Sequence, residues 1–139
     1  KTMSMSSDSS LQELVPDILD FGIAGFFSEH AKAQADIERE IRIEWWPRRG
    51  LSGELNPAKL TESQWAKAAS YLVLWRYALP QLTTWVDGDR FQAMIEFYKT
   101  RYHEEIAAVF LDGVEYDADG DGVLTQEEKK PIGAGYLAR

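Results

Sequence analysis

The sequence contains no cysteine, and this absence excludes several kinds of site at once. Without thiols the chain can form no disulfide framework, no thiolate nucleophile and no cysteine-based zinc site. No uninterrupted apolar run reaches about 18 residues, so we expect no membrane-spanning helix. Histidine is scarce too: only His30 and His103 occur, and neither has the His-x-x-x-His or Glu-x-x-His spacing of metal ligands.

Patterns that carry enzymatic chemistry are missing as well. There is no Gly-x-Ser-x-Gly nucleophile elbow and no phosphate-binding Gly-Lys-Ser/Thr loop. Asp87 and Asp89 could pair as acid and base, but with Gly88 between them they are more typical of a turn and a helix cap. His103 stands beside two glutamates and is interpreted as solvent-exposed. We therefore expect a protein that is not an enzyme.

Composition favours one packed domain with an uneven charge distribution. The chain has 139 residues, of which 45% are hydrophobic, enough for a core without covalent staples. The formal net charge is −8, and residues 117–128 alone carry −5, which leaves −3 for the rest. Because a nucleic-acid binder would show a basic face, this balance argues against that class.

The stretch from Asp117 to Glu128 reads Asp-Ala-Asp-Gly-Asp-Gly-Val-Leu-Thr-Gln-Glu-Glu and matches the EF-hand calcium loop at every defined position. Gly122 stands at loop position six, where a sharp turn favours a residue without Cβ. Calcium prefers six to eight oxygen ligands at roughly 2.3–2.6 Å, which a short loop supplies by turning alternate residues inward. The predicted ligands of Ca²⁺ are Asp117, Asp119, Asp121, the carbonyl of Val123, Thr125 directly or through water, and a bidentate Glu128. A solvated acidic turn is the alternative, but it does not explain this combination of positions.

The rest of the chain predicts an all-α fold, a small helical bundle that ends in the EF-hand-like loop. Residues 1–10 are rich in serine and are expected to form a flexible leader, with residues 11–139 as a single helical domain. Apolar spacing predicts a helix over 11–27, although Pro16 and two glycines weaken it, and another over 28–44. The predicted apolar stripe of the second helix is Ala31, Ala35, Ile37 or Glu38, and Ile41.

Two long helices are predicted in the second half. Thr61-Glu62-Ser63-Gln64 has the Thr-x-x-Gln form of a capping box, so a helix should begin there. It is apolar on nearly every side, which favours burial or enclosure by neighbouring subunits, and Pro80 should end or kink it. Asp89 can cap a helix to about Asp112, and the short link between the two helices indicates antiparallel packing. The core stripe of the last helix is Phe91, Met94, Ile95, Tyr98, Tyr102, Ile106, Val109 and Phe110.

Two further features bear on function. Trp45, Trp46, Arg48 and Arg49 combine the residue types that anchor interfaces, although the tryptophans could equally close one end of the core. After the loop, Pro131 and two glycines forbid the usual long exiting helix, and no second loop pairs with the first. A calcium sensor would need helices that move and expose a groove, and this sequence offers none.

The order of parts resembles a known family of assembly proteins. The sequence is similar to the head–tail connector proteins of tailed bacteriophages, which act as adaptor or head-completion proteins. Three segments carry the resemblance: an aromatic helix that includes Tyr71–Pro80, a second helix from Asp89 through Tyr102, and Gly113–Asp117 leading into an acidic loop. The resemblance covers about residues 60–130.

This resemblance implies a structural virion protein. The subunit would form a ring, commonly of twelve copies, between the portal protein of the head and the tail-side connector proteins. It would be located in the virion neck, and in the host cytoplasm during assembly. DNA would pass through the ring without sequence-specific contact. The competing interpretation is a free-standing calcium-binding module that acts as a buffer or regulator.

Overall fold

The structure is a computed structural model that describes residues 5–49, 53–83 and 89–116. Within these ranges the chain is mostly helical and forms no strand, which confirms the predicted all-α class. No helix in the described ranges combines the length and the apolar character needed to cross a membrane. The elements are α1 (Asp8–Leu14), a 3₁₀ turn (Ile18–Asp20), α2 (Phe27–Glu44), α3 (Trp46–Arg49), a second 3₁₀ turn (Pro57–Lys59), α4 (Glu62–Leu72), a π-helical segment (Val73–Ala78), α5 (Leu79–Leu82) and α6 (Arg90–Asp112).

The first helix is displaced from its predicted position. The prediction of a helix over 11–27 is wrong, because α1 ends at Leu14 and only a 3₁₀ turn follows. Val15 leaves the helical region (φ −131°, ψ 89°), and the residue before a proline is disfavoured in that region. Gly22 then adopts φ +98°, which a helix cannot include.

The folded chain also includes residues before Leu11. Ser7 caps α1 through a reciprocal capping box with Ser10, and Met5 and Ser6 are buried. The predicted leader over 1–10 therefore differs from the structure at residues 5–10. Residues 1–4 lie outside the described ranges.

Helix α2 confirms the predicted second helix and the predicted burial of Ile37 and Ile41, but Ala33 is buried in place of the two predicted alanines. Ala33, Ile37 and Ile41 are completely buried, whereas Ala31 and Ala35 are exposed. Four-residue spacing places the three buried residues on one face. Alanine is small enough for either environment, so the alanines alone did not define that face.

Helix α4, the π-helical segment and α5 form one continuous helical stretch through the centre of the molecule. The stretch is buried by its own chain, including Trp65, Leu72, Leu74 and Leu79. The stretch ends at Leu82, two residues past Pro80, at which an end or a kink was predicted. The backbone N–H of Leu79 bonds to the carbonyl of Leu74, five residues back, and this wider turn accommodates a proline ring that would press on the carbonyl four residues back in an α-helix.

Helix α6 was predicted closely. The Asp89 side chain accepts a hydrogen bond from the N–H of Phe91 at 2.7 Å, and the helix ends at Asp112. Of its predicted stripe, Tyr98, Tyr102, Ile106, Val109 and Phe110 are buried, and Phe91, Met94 and Ile95 are half-buried against the core. Side chains of α6 pack along α4 and the π-helical segment, with ring pairs Trp65–Phe110 and Trp75–Tyr102.

Candidate metal centre and the segment that leads to it

The predicted calcium loop begins one residue after the described structure ends. Residues Asp117, Asp119, Asp121, Val123, Thr125 and Glu128 all lie outside the described residues. Tyr116, directly before the first predicted ligand, is described and fixes where the loop starts. Within residues 5–49, 53–83 and 89–116, no three His, Cys, Asp or Glu side chains come together in a way that could hold a metal ion.

Tyr116 is held on several sides by residues distant in sequence. Its side chain is 4% exposed, and its ring centroid lies 5.6 Å from that of Trp45 and 5.2 Å from that of Trp46. Its hydroxyl oxygen accepts a hydrogen bond from the backbone N–H of Asn56 at 3.2 Å. Because Tyr116 directly precedes Asp117 in sequence, the chain enters the predicted loop from a residue that is anchored in the core.

The segment between α6 and Tyr116 is held by the side chain of Gln64. The Gln64 Nε2 group donates to the carbonyl of Gly113 at 2.7 Å, and Oε1 accepts from the N–H of Glu115 at 2.9 Å. The backbone adds a hydrogen bond from the Thr61 N–H to the Glu115 carbonyl at 3.4 Å, and an isolated antiparallel bridge joins Leu60 to Tyr116.

This use of Gln64 corrects the capping-box prediction. Helix α4 does begin after Thr61, but the Thr61 side chain makes no capping hydrogen bond. The Gln64 amide bonds to Gly113 and Glu115 instead. The sequence signal located the start of the helix correctly and assigned the wrong partners to its glutamine.

Glycine is required where α6 ends. Gly113 adopts φ +108°, a conformation that residues with a Cβ rarely take. This backbone reversal directs the chain away from the helix and toward Gln64. The following Val114 is completely buried, so the segment is held by apolar packing as well as by hydrogen bonds.

The four predicted interface residues separate into different environments. Trp45 is completely buried in its own chain. Trp46 is half-buried, packs against the core, and donates from Nε1 to the carbonyl of Gly53 at 3.0 Å. Arg48 and Arg49 end α3, and their side chains lie outside the described residues. An interface role stays a prediction for Trp46 and the two arginines, whereas Trp45 is used within the core.

A groove of about 270 Å³ lies between α2, the π-helical segment and α6, and sequence analysis did not identify it. Its acidic groups are bonded across helices. The Tyr102 hydroxyl donates to Glu40 Oε1 at 2.8 Å, the Tyr77 hydroxyl donates to Asp36, and Arg76 Nη1 lies 3.4 Å from Asp36 Oδ2. The polar groups of the groove thus connect helices. These contacts depend on the fold, so the sequence alone could not have identified the groove.

Burial and the neighbouring Glu40 carboxylate raise the pKa of Tyr102 well above its usual range. Burial and the hydrogen bond to Asp36 raise the pKa of Tyr77 in the same direction. Tyrosine hydroxyls are already protonated at neutral pH, and the raised pKa extends this state toward alkaline pH, so both hydroxyls stay hydrogen-bond donors from α6 and the π-helical segment to α2.

His30 connects the N-terminal segment to α2. Its Nδ1 lies 2.7 Å from the Ser6 hydroxyl and its Nε2 lies 2.9 Å from Asp8 Oδ1. Serine, histidine and aspartate also make up hydrolase triads, but here the serine is only 5% exposed. Asp8 in addition accepts from the Phe26 N–H at 3.1 Å. The group holds residues 6–8 against the start of α2.

Comparisons with protein-family models, with curated proteins and with solved structures each find no match to this chain.

Proposed function

We propose that this protein is a structural assembly subunit whose C-terminal loop, Asp117–Glu128, binds a calcium ion that secures the end of the chain. The observation that carries the proposal is the burial of Tyr116 between Trp45 and Trp46, directly before the first predicted ligand. A loop that starts from an anchored residue changes local order when it binds an ion. A calcium sensor would instead need a helix that can swing.

The hydrogen bonds of residues 113–116, which lead into the predicted loop, favour a role in which calcium stabilises the structure and does not move helices. Gln64 bonds to Gly113 and Glu115, and Asn56 bonds to Tyr116, so the end of α6 is tied to the start of α4. Moving α6 in response to calcium would break these contacts. Ion binding therefore stabilises the existing arrangement.

We further propose that the subunit is a head–tail connector of a tailed bacteriophage. The support is the resemblance of residues 60–130, together with a helical fold in which side chains of α4 and α6 pack against each other. Copies would form a ring, twelve in the usual arrangement, that joins the portal protein to the tail-side proteins in the virion neck. DNA would pass through the ring, and the net charge of −8 on each subunit would disfavour non-specific binding of the DNA to the protein.

Exposed apolar side chains give such a ring contact points. Phe97 and Leu111 on α6 are 51% and 48% exposed, and Ile43 on α2 is 58% exposed. The apolar face of α4 is satisfied within the chain, so subunit contacts in this proposal use the outer sides of α2 and α6, with Trp46, Arg48 and Arg49 on α3.

The test is the assembly state of the full chain with calcium and with a chelator. Sedimentation velocity and electron microscopy are carried out on the wild type, on Asp117→Ala, Asp121→Ala, and on the control Asp17→Ala, Asp20→Ala. The control removes the same charge from the exposed turn near α1. We expect rings from wild type and control with calcium, and fewer or none from the loop variant.

Other outcomes separate the alternatives. A monomer that binds calcium and repacks its helices, detected by near-ultraviolet circular dichroism, would identify a free-standing calcium module and contradict the connector proposal. If rings form equally well in chelator and in the loop variant, the connector proposal stands, but calcium has no role in ring assembly.

A further inference from the structure

The outer face of α2 is basic, although the protein as a whole is acidic. Lys32, Arg39 and Arg42 are exposed, and helical spacing places all three on the side opposite the buried stripe of this helix. Among the described residues, neither Arg39 nor Arg42 makes a salt bridge. Ile43, which is 58% exposed, lies beside Arg39 on the same face. The outer face of α2 therefore combines three positive charges with an exposed aliphatic side chain.

Several carboxylates of α2 lie on the flanks of this face and bond within their own chain. Asp36 and Glu40 line the groove, and each accepts a hydrogen bond from a tyrosine hydroxyl. Glu38 accepts a hydrogen bond from the side chain of Gln34 at 3.0 Å. Because these acidic groups have partners to either side, the surface that α2 turns to solvent keeps its positive charge.

The C-terminal half of α6 and the residues after it have the opposite charge. Residues 102–116 contain four carboxylates and no lysine or arginine. Glu104 and Leu111 are seven positions apart and share the outer face of the helix, where Leu111 is 48% exposed, and Asp112 is exposed at the helix end. Arg101 lies 3.8 Å from Glu104, and an exposed pair of this kind holds its partners weakly. This acidic face of α6 thus matches the outer face of α2 with the charges reversed.

We propose that the outer face of α2 in one copy of the chain binds the acidic face of α6 in the next copy. Opposite charges then meet, and Ile43 and Leu111 supply the apolar contact. Pairing α2 with α2 would bring three cations together, and pairing α6 with α6 would bring carboxylates together, so contacts between identical faces are disfavoured.

A contact between two different faces has a consequence for assembly. Each subunit that uses its α2 face on one neighbour still has its α6 face for another, so the contact repeats from copy to copy and forms a ring when the rotation closes. The inference rests on the proposed assembly role, and it identifies which surfaces of the subunit meet.

The test reverses the charge of one face at a time in the full chain. Arg39→Glu, Arg42→Glu makes the α2 face acidic, and Glu104→Lys, Asp112→Lys makes the α6 face basic. All four side chains are exposed, so the fold should be retained, which circular dichroism checks. Sedimentation velocity in calcium-containing buffer then measures the assembly state of each variant alone and of the two variants mixed.

The control is Lys67→Glu, Lys99→Glu, which makes the same charge change as the α2 variant at exposed positions outside both faces. We expect the control to assemble as the wild type does, and each reversed variant alone to remain near the subunit mass of 15.8 kDa. An equimolar mixture of the two reversed variants should assemble again. In that mixture the acidic α2 of one variant meets the basic α6 of the other, and the two unchanged faces also match.

The absence of cysteine permits a second measurement in which no charge is altered. Ile43→Cys and Leu111→Cys are prepared as separate chains and treated with a short bismaleimide cross-linker, alone and mixed. We expect a covalent dimer from the mixture only. Covalent dimers from either chain alone would show contact between identical faces and would overturn the proposal.

The outcomes also separate this interface from the proposed function. If the reversed variants fold and assemble as the wild type does, or if their mixture stays at the subunit mass, the interface is wrong while the assembly role stands. A wild type that remains monomeric would contradict the assembly role and the interface with it.

Discussion

The ring of Tyr116 lies 5.2 Å from the ring of Trp46, with an angle of 70° between their planes. The two residues belong to features that sequence analysis treated separately, the approach to the calcium loop and the Trp-Arg segment. Edge-to-face packing at this distance is a favourable aromatic arrangement. The contact places α3 beside Tyr116, the residue that precedes the proposed metal site in sequence, so a change at Trp46 or at Tyr116 is expected to affect the other.

We predict that the hydroxyl and the ring of Tyr116 contribute separately to stability. Tyr116→Phe leaves the Asn56 N–H without its acceptor and should lower the free energy of unfolding by about 1–3 kcal/mol. Tyr116→Ala also removes a buried ring and should cost about 3–5 kcal/mol. Urea unfolding in chelator measures both.

The control for this pair is Tyr71→Phe. Tyr71 is half-buried and stacks on Tyr98, and in the described part of the chain its hydroxyl has no hydrogen-bond partner. It should change stability by less than Tyr116→Phe. Equal effects of the two substitutions would contradict a specific role for the Asn56 bond.

We predict that Tyr102 makes the protein sensitive to alkali. Burial and Glu40 raise the pKa of Tyr102 in the folded state, so the unfolded chain loses the phenol proton at lower pH, near 10. A raised pKa gives stability that is fully present below pH about 10 and is lost as the pH rises further. The stability of Tyr102→Phe should therefore fall less steeply between pH 9 and 11, about one unit on either side of that value.

Urea unfolding at several pH values measures this difference. Burial also raises the pKa of Tyr77 and of Tyr98, so the variant should retain part of the alkaline loss. Parallel stability curves for wild type and Tyr102→Phe would rule out Tyr102 as a source of the effect.

We predict that Asp89 stabilises α6 from its first turn. Asp89→Ala removes the acceptor for the Phe91 N–H and should cost about 0.5–2 kcal/mol, as for other helix N-caps. Asp112→Ala, at the opposite end of the same helix, is the matched control. A negative charge there opposes the helix dipole, so its removal should leave stability unchanged or slightly higher. Thermal unfolding in chelator compares the two, and equal losses would argue against capping.

The parts of the fold that were predicted correctly depend on local chemistry. Helix α6 could be placed from the sequence because both of its signals lie within one segment. These signals are the N-cap residue Asp89 and the apolar stripe with a 3.6-residue period. The same holds for α2 as a helix, although its buried face required the partner helices to be known.

The errors have two sources: contacts with distant residues, and local backbone geometry that apolar spacing does not report. Gln64 satisfies the capping-box pattern, but Gly113 and Glu115, about fifty positions away, take its amide. The wide turn at Val73–Ala78 allows the helix to pass Pro80, which single-residue propensity treats as a stop. The apolar residues of 11–27 have helical spacing, yet Val15 before Pro16 and the backbone of Gly22 end the helix early.

The ligands of the candidate site stay a sequence prediction, whereas the contacts of the residue before them come from the fold. The ligand spacing of residues 117–128 is a local pattern, and it predicts a calcium site without any structure. The anchoring of Tyr116 by Trp45, Trp46 and Asn56 depends on tertiary contacts across about sixty residues or more. No local pattern carries that information.

Calcium binding to the full chain, measured by titration calorimetry after removal of metal with a chelator, tests the central claim most directly. We expect one calcium ion per chain, with binding abolished in Asp117→Ala, Asp121→Ala and retained in Asp17→Ala, Asp20→Ala. Absence of a calcium site in the wild type, or unchanged binding in the loop variant, would contradict it.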